Sequence, residues 1–348
     1  MKQKRGRIIR RLAACLLAAA LAGMAGTQNP AAGEKAEPAV PVLELPEAEQ
    51  GRVEEIPVEQ DSLQNSLPPL ESCYLYGGED ENPTGYADPS ITVNLGTGTI
   101  YGTKYLYARI KIASASQLRT LLASPVGKQG TSPGHNLAKR VQAVIAINGD
   151  FCGGDGVTQG ALMRQGEMLR QRCDGRFDLL AVDRAGDFHI LRNAKDEDVQ
   201  ALGDQAVNIF TFGPALVVDG EPIYGGNRIN LGRNKQAQRM AICQTGPLEY
   251  LLITSEGPEN PTGNDRTQGL TLDQFVDLVS SMPDVKMAYN LDGGSSATMV
   301  FRSGEKNWTK INALSSGKIR PLKDIIYFAT AFDPEKNDFT VKDGAEEP

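Results

Sequence analysis

Histidine is scarce in this sequence, whose 348 residues include only His135 and His189. Zinc sites commonly use several histidine or cysteine ligands, and the chain has no Cys-x-x-Cys pair. A histidine-rich zinc site is therefore excluded. A Ser-His-Asp triad would need one of the two histidines, and neither lies in a motif that indicates catalysis.

Basic residues are outnumbered by acidic ones, 36 against 43, which gives a net charge of −7. Six of the basic residues precede residue 12, so the chain without its first 26 residues has 30 basic and 43 acidic residues, a net charge of −13. This balance argues against nucleic acid as a partner. An anionic substrate would need local Arg or Lys side chains to overcome the overall field.

The apolar run at residues 12–22 is shorter than the roughly 20 residues of a membrane-spanning helix. Basic residues precede it and small residues follow it, which is the order of an export signal. We therefore expect residues 1–26 to be a signal peptide and the protein to be extracellular or in the cell envelope. The alternative is a membrane anchor formed by residues 8–26.

Residues 27–70 have no aromatic side chain and are rich in Pro, Glu and Ala. Such a segment cannot bury enough apolar surface to fold, so it is expected to be a disordered spacer. It would allow association with a membrane or cell wall through the N-terminus. The folded domain is expected at residues 71–335, and residues 336–348 form a charged tail.

Short segments of alternating apolar and polar residues recur through the domain and predict strands. The clearest helix is Thr271–Met282, where Thr271 and Gln274 match a capping box and apolar residues recur at helical spacing. Ser116–Leu122 predicts a second, short helix. The expected fold class is α+β, a single β-rich domain with a mixed twisted sheet and a few packed helices.

Four cysteines follow the predicted signal peptide, and an even number in an exported protein permits disulfides. Cys152 and Cys173 are the preferred pair, because a bond between them would clamp the loop that follows Asn148. Buried free thiols are the alternative, and spacing alone does not decide between the two.

Residues 285–301 begin as a strand and then turn. The alternation predicts one apolar face and one polar face, and Asn290 and Asp292 lie on the polar one. Gly293 and Gly294 end the strand and allow close approach of the backbone to a ligand. A carboxylate beside a donor-rich loop can bind an anion or a sugar hydroxyl. The alternative is a β-hairpin in which Asp292 bonds only its own turn.

A second polar strand end follows the apolar run Val141–Ile147, which predicts a buried strand. That run ends at Asn148, Gly149 and Asp150. Polar groups at the end of a buried strand commonly line a site, although an Asn-Gly turn without a functional role fits the same residues.

Several segments resemble the phosphodiester glycosidase family, in the expected order and over most of residues 90–330. The family signature is similar to Asn-Leu-Asp-Gly-Gly-Ser-Ser at Asn290–Ser296, and its first motif is similar to Ala146–Phe151. Its middle and closing motifs resemble the segments Gly160–Arg164, Gly213–Gly220, Arg239–Ile242 and Arg320–Ile326. Many members have Asp-Gly-Arg after the strand at residues 250–254, where this chain has Ser255 and Glu256 and so keeps a carboxylate.

The resemblance implies hydrolysis of the bond between a sugar anomeric carbon and a phosphodiester oxygen, in a phosphodiester-linked glycan. It implies Asp292 as base or nucleophile and Glu256 or Asp150 as the second carboxylate. Arginine binds phosphate in bidentate geometry, so Arg164 and Arg239 are the expected phosphate ligands, unless each belongs to an ion pair. The other expected contacts are sugar hydroxyls at Asn148 and Asn290, and phosphate at the amides of Gly293, Gly294, Ser295 and Ser296.

No cofactor is expected, although a divalent cation such as Ca²⁺ or Mg²⁺ stays open. Two other functions fit the same residues. The first is a metal-dependent phosphodiesterase, in which Asp150, Glu256 and Asp292 supply oxygen ligands to a hard cation. The second is a non-catalytic module that binds carbohydrate or the cell wall.

Overall fold

The structure is a computed structural model that describes residues 67–77, 83–125, 130–150, 160–225, 233–257, 269–302, 307–312 and 319–335. The predicted signal peptide, most of the spacer and the tail at 336–348 lie outside the described residues. Three α-helices lie within them, α1 (Gly134–Arg140), α2 (Asp196–Ala201) and α3 (Leu272–Ser281). None of the helices in these ranges is long and apolar enough to cross a membrane.

Most of the secondary structure is β-strand. The strands are β1 (Tyr74–Tyr76), β2 (Pro83–Asp88), β3 (Ile91–Ile100), β4 (Thr103–Ile112), β5 (Leu118–Leu122), β6 (Ile145–Asn148), β7 (Gly160–Arg164), β8 (Glu167–Arg172), β9 (Leu179–Asp183), β10 (Phe188–Leu191), β11 (Ala206–Phe210), β12 (Ala215–Val218), β13 (Glu221–Pro222), β14 (Met240–Gly246), β15 (Glu249–Ser255), β16 (Met287–Leu291), β17 (Met299–Arg302), β18 (Trp308–Lys310) and β19 (Asp324–Phe328).

These strands form three sheets. The first has nine strands in the order β1-β2-β3-β4-β15-β14-β16-β12-β13. The second has the order β10-β9-β11-β7-β8, and the third has the order β18-β17-β6-β19-β5. Every pairing between these strands is antiparallel. The expected β-rich α+β class is confirmed, but the prediction of a mixed sheet is wrong. Hairpin turns, which join antiparallel strands, connect several of these pairs.

The three sheets share one core. Their inner faces contribute Leu252 and Tyr289 from the first sheet, Phe210 from the second, and Ile147 and Phe301 from the third. Each outer face is covered by one helix, with α3 on the first sheet, α2 on the second and α1 on the third. The helices are therefore needed to bury the second face of each sheet.

Strand β16 differs from its prediction, because both of its faces are buried. Tyr289 and Leu291 lie in the shared core, while Ala288 packs on the opposite side against α3. Its central place between β14 and β12 leaves neither face to solvent. The expected polar face is therefore covered, and Asn290 is buried on it.

The two predicted helices had different outcomes. Helix α3 is confirmed, and the Thr271 hydroxyl accepts the Gln274 N–H as the first half of a capping box. The prediction of a helix at Ser116–Leu122 is wrong. A single 3₁₀ turn at Ala115–Gln117 leads into β5, whose residues pair with β19 instead. Pairing with a distant strand has overridden the local helical signal.

Candidate active site

Asp292 lies in a connection between two sheets. Strand β16 ends at Leu291 in the nine-stranded sheet, and β17 begins at Met299 in the sheet that contains β6. The intervening residues make a 3₁₀ turn at Gly294–Ser296. The hairpin alternative is wrong, because the strands on either side of this turn belong to different sheets.

Asn148, at the end of β6, forms hydrogen bonds with both ends of this connection. Its Nδ2 donates to the carbonyl oxygen of Asp292 over 2.7 Å, and its Oδ1 accepts the Thr298 N–H over 2.9 Å. Both polar atoms of the side chain are thus bonded to the two ends of the turn. The ends of the two strands that were predicted to line a site are therefore in contact. These hydrogen bonds favour a positioning role for Asn148, and its contact with a sugar hydroxyl stays a prediction.

Close packing fixes the start of the turn. A Cβ atom on Gly293 would lie 2.7 Å from the Gln238 carbonyl oxygen, so a larger residue does not fit there. The same oxygen accepts the Gly294 N–H over 2.7 Å, and the Ser296 N–H donates to Gly293 O over 3.1 Å. These two amides therefore have a structural role, and the phosphate contact expected of them stays a prediction.

The Asp292 carboxyl is half-buried, and burial is the largest influence on it, raising its pKa. The nearby charge of Asp150 raises the pKa further. The Ser296 hydroxyl, the charge of Arg320 and the Gly293 N–H act in the opposite direction by stabilising the ionised form. A carboxyl with a raised pKa in a cavity is a candidate acid–base group.

A cavity of about 380 Å³ opens beside this carboxyl. Its lining includes the polar and charged side chains of Asn148, Asp292, Ser296, Arg320, Lys323 and Asp324. The Arg320 side chain is exposed, and its Nη1 lies 3.4 Å from the Ser295 hydroxyl. Because Asp324 is paired with the buried Arg164, the cavity combines one carboxyl outside that ion pair, that of Asp292, with two cations, a charge pattern that suits an anionic ligand.

The two cations were missed in the assignment of the site from sequence. Arg320 belongs to the segment that resembles the closing motif of the family, so a signal for it was present. Its position beside Asp292 depends on the pairing of β19 with β6, which no local pattern of residues reveals.

Arg164 and Asp150 meet in a buried ion-pair network with Asp324, which also lines this cavity. Arg164 Nη2 lies 2.8 Å from Asp150 Oδ1 and 2.9 Å from Asp324 Oδ2, and all three side chains are buried. Asp150 Oδ2 also accepts the Thr211 N–H over 2.6 Å. This geometry favours a structural ion pair for Arg164, the alternative noted from the sequence, over a phosphate contact. The catalytic role of Asp150 likewise stays a prediction.

Arg239 and Glu256 line no part of the Asp292 cavity. The buried Arg239 side chain donates from Nε to Leu270 O over 3.0 Å and from Nη2 to Lys235 O over 2.7 Å. Burial lowers its pKa to about 10. Glu256 lines a second cavity of about 390 Å³, together with Lys104. The phosphate contact expected of Arg239 and the catalytic role expected of Glu256 stay predictions.

Asn290 lies in β16, one residue before the end of the strand. Its Nδ2 donates to Gly213 O over 2.7 Å, and its buried Oδ1 has no hydrogen-bond partner among the described residues. The side chain thus faces the Gly213 backbone. Its predicted contact with a sugar hydroxyl is not tested by these contacts.

Three carboxylates were considered as metal ligands, namely Asp150, Glu256 and Asp292. Among the described residues, no group of three or more His, Cys, Asp or Glu side chains could hold a metal ion.

The predicted disulfide partner of Cys173 is Cys152, which lies outside the described residues. Burial raises the pKa of the Cys173 thiol to about 11. The disulfide stays a prediction.

A family model described as phosphodiester glycosidase matches residues 141–329, more than half of the chain. The chain belongs to the phosphodiester glycosidase family. This finding confirms the resemblance that the Asn290–Ser296 segment carries. The match contains Asn148 and Asp292 as well as Arg320, so the whole junction described above lies within the family region.

Several solved structures are similar to this phosphodiester glycosidase chain, including the two that follow. One is the catalytic domain of zebrafish N-acetylglucosamine-1-phosphodiester alpha-N-acetylglucosaminidase, auto-inhibited by its pro-peptide, with a TM-score of 0.55 and 16% identity over 70% of this chain and 84% of that chain. The other is a hypothetical protein from Synechocystis, with a TM-score of 0.45 and 16% identity over 69% of this chain and 62% of that chain. The chain matches no curated protein. At this identity the zebrafish structure supports the fold alone.

Proposed function

We propose that this protein hydrolyses the glycosidic bond of a sugar 1-phosphodiester in the Asp292 cavity. The observation that carries the proposal is a half-buried carboxyl of raised pKa that shares a cavity with Arg320 and Lys323. Cleavage of a glycosidic bond passes through an oxocarbenium-like transition state, which a carboxylate stabilises. The phosphodiester is an anion, which the two cations attract.

The roles follow from this arrangement. Asp292 acts at the anomeric carbon, as base or nucleophile. Arg320 binds phosphate oxygens through its guanidinium, and Lys323 adds a second positive charge. Asn148 keeps the turn in place through its bonds to Asp292 and Thr298. Because phosphate is already a good leaving group, the reaction does not depend on a strong general acid.

The substrate class proposed is a phosphodiester-linked glycan, and N-acetylglucosamine is the first sugar to test because it is named for the zebrafish relative.

We also propose export to the cell envelope or the extracellular space, on the basis of the basic, apolar and small-residue order of residues 1–26. Cell fractionation followed by intact-mass analysis tests the export, and a cytoplasmic protein that keeps residues 1–26 would contradict it.

Hydrolysis in ¹⁸O-labelled water tests the reaction. The probe is methyl N-acetylglucosamine 1-phosphodiester, and the products are analysed promptly by mass spectrometry. Cleavage of the glycosidic bond places the label on the sugar. Label on the phosphate product would instead indicate a phosphodiesterase. Binding without turnover would indicate a carbohydrate-binding module.

A further inference from the structure

Two tyrosines meet at one carboxylate on the outer surface of α3. The Tyr101 hydroxyl donates to Asp277 Oδ2 over 2.7 Å, and the Tyr224 hydroxyl donates to Asp277 Oδ1 over 2.8 Å. The tyrosines come from the turn between β3 and β4 and from the segment after β13. The bond to Asp277 raises the pKa of both phenols, so each hydroxyl keeps its proton and remains the donor.

The rings of these tyrosines face solvent. Tyr101 is 57% exposed and Tyr224 is 51% exposed, which places both among the most exposed large apolar side chains in the described residues. Tyrosine more often buries its ring and leaves its hydroxyl at the wet end. Here the hydroxyls are hydrogen-bonded to Asp277 and the rings are exposed to solvent. The tyrosine side chains would lose little conformational entropy on binding a ligand, because the rings are already fixed.

The backbone at Tyr101 adds an independent observation. Tyr101 and Gly102 have φ values of +51° and +70° between the paired residues Ile100 and Thr103, which makes a two-residue hairpin turn with both central residues left-handed. Such turns favour Asn-Gly, Asp-Gly or Gly-Gly. A bulky aromatic residue is uncommon in this region, so the turn holds the Tyr101 ring at a position that smaller residues usually occupy.

The surroundings of the two rings are polar. Asp273 lies one helical turn before Asp277, and its Oδ2 accepts Arg233 Nη2 over 2.7 Å in a partly exposed ion pair. The aromatic surface is thus interrupted by carboxylates, and a continuous apolar partner does not match it. A ligand that alternates apolar C–H faces with hydroxyl groups does.

We propose that Tyr101, Tyr224 and Asp277 form a saccharide-binding platform on the outer surface of α3. The platform takes neutral pyranose rings whose equatorial hydroxyls leave a flat C–H face to lie on a tyrosine ring. Each Asp277 oxygen has a further lone pair that can accept a sugar hydroxyl. The negative charge of Asp277 disfavours an anionic ligand, while that of Asp273 is balanced by Arg233. None of these residues lines the Asp292 cavity, so the platform is a separate site.

Calorimetric titration with chitohexaose and cellohexaose tests the proposal. Tyr101→Asn removes one ring while suiting the left-handed turn, and Tyr224→Ala removes the other. Each is expected to weaken binding by about 2- to 10-fold, since an aromatic contact contributes roughly 0.5–1.5 kcal/mol. Tyr101→Phe and Tyr224→Phe keep the rings but remove the bonds to Asp277 that fix them, so each should weaken binding less than the variant that removes the same ring.

Tyr76→Ala is the matched control, because Tyr76 is 49% exposed on β1, outside the platform. It should bind like the unaltered protein, and thermal unfolding shows that each variant is folded. The proposal is overturned if the unaltered protein binds neither oligosaccharide. It is also overturned if the ring-removing variants bind like the unaltered protein, or if Tyr76→Ala weakens binding equally.

Discussion

Asn148 Nδ2 donates to the carbonyl oxygen of Asp292 over 2.7 Å, and this bond joins the ends of two strands from different sheets. The side chain of one strand end thereby holds the backbone of the residue on which catalysis is proposed to depend. A rigid support of this kind is what an active-site carboxylate needs, since small displacements reduce the rate.

Replacing Asp292 with Asn removes the charge and keeps the size of the side chain. We expect kcat on a sugar 1-phosphodiester to fall by about 100-fold or more, because base or nucleophile function is lost. Steady-state kinetics measures the effect, and Asp204→Asn at an exposed position is the control. Near-normal turnover would assign Asp292 a structural role and move the chemistry to another carboxylate.

The raised pKa of Asp292 has a consequence for stability. The folded protein binds this proton more tightly than the unfolded chain, whose aspartates have a pKa of about 3.9. The stabilising contribution is therefore complete below that pH and is lost as the pH rises through the raised value. Asp292→Asn should gain stability relative to the unaltered protein across this window. Urea unfolding at a series of pH values checks it, and a difference that does not vary with pH would be the contrary result.

Asn148→Ala should destabilise the fold by about 1–3 kcal/mol, because the Thr298 N–H and the Asp292 carbonyl lose a partner at the junction. The free energy of unfolding in urea is the measurement. Asn136→Ala, on an exposed position of α1, should stay within about 0.5 kcal/mol. Equal effects of the two substitutions would mean that the Asn148 bonds contribute nothing specific.

Arg320→Gln should raise KM for a sugar 1-phosphodiester by about tenfold or more, since a hydrogen bond to a charged group contributes roughly 1.5–3 kcal/mol. Stability should change little, because Arg320 is exposed. Arg176→Gln, which breaks an exposed ion pair with Asp174, is the control. An unchanged KM would remove Arg320 from the phosphate site.

Arg164→Met should reduce the free energy of unfolding by about 3–5 kcal/mol, because it leaves Asp150 and Asp324 buried without their cation. Arg176→Met is expected to cost less than about 1 kcal/mol, as for other exposed pairs. Urea unfolding compares the two. A stable Arg164→Met protein with a raised KM would restore the phosphate-binding role predicted from the sequence.

The sequence was informative where local pattern and structure coincide. Asp292 and Asn148 could be selected as site residues because each follows an apolar strand, and α3 could be located because its capping box is local. The burial of Asn290 could not be predicted, since it depends on α3 covering a sheet face. The ion pair of Arg164 with Asp324 could not be predicted either, because these residues lie far apart in the chain and no local pattern links them.

The turn from Asp292 to Thr298 couples the position of the Asp292 carboxylate to the distance between two sheets. One end of the turn follows a strand of the nine-stranded sheet, and the other precedes a strand of the third sheet, while Arg320 lies four residues before β19 of that third sheet. A change in the packing of the shared core would therefore alter the separation of carboxylate and guanidinium without touching either one. Substitutions remote from the cavity then become a means of adjusting its charge geometry.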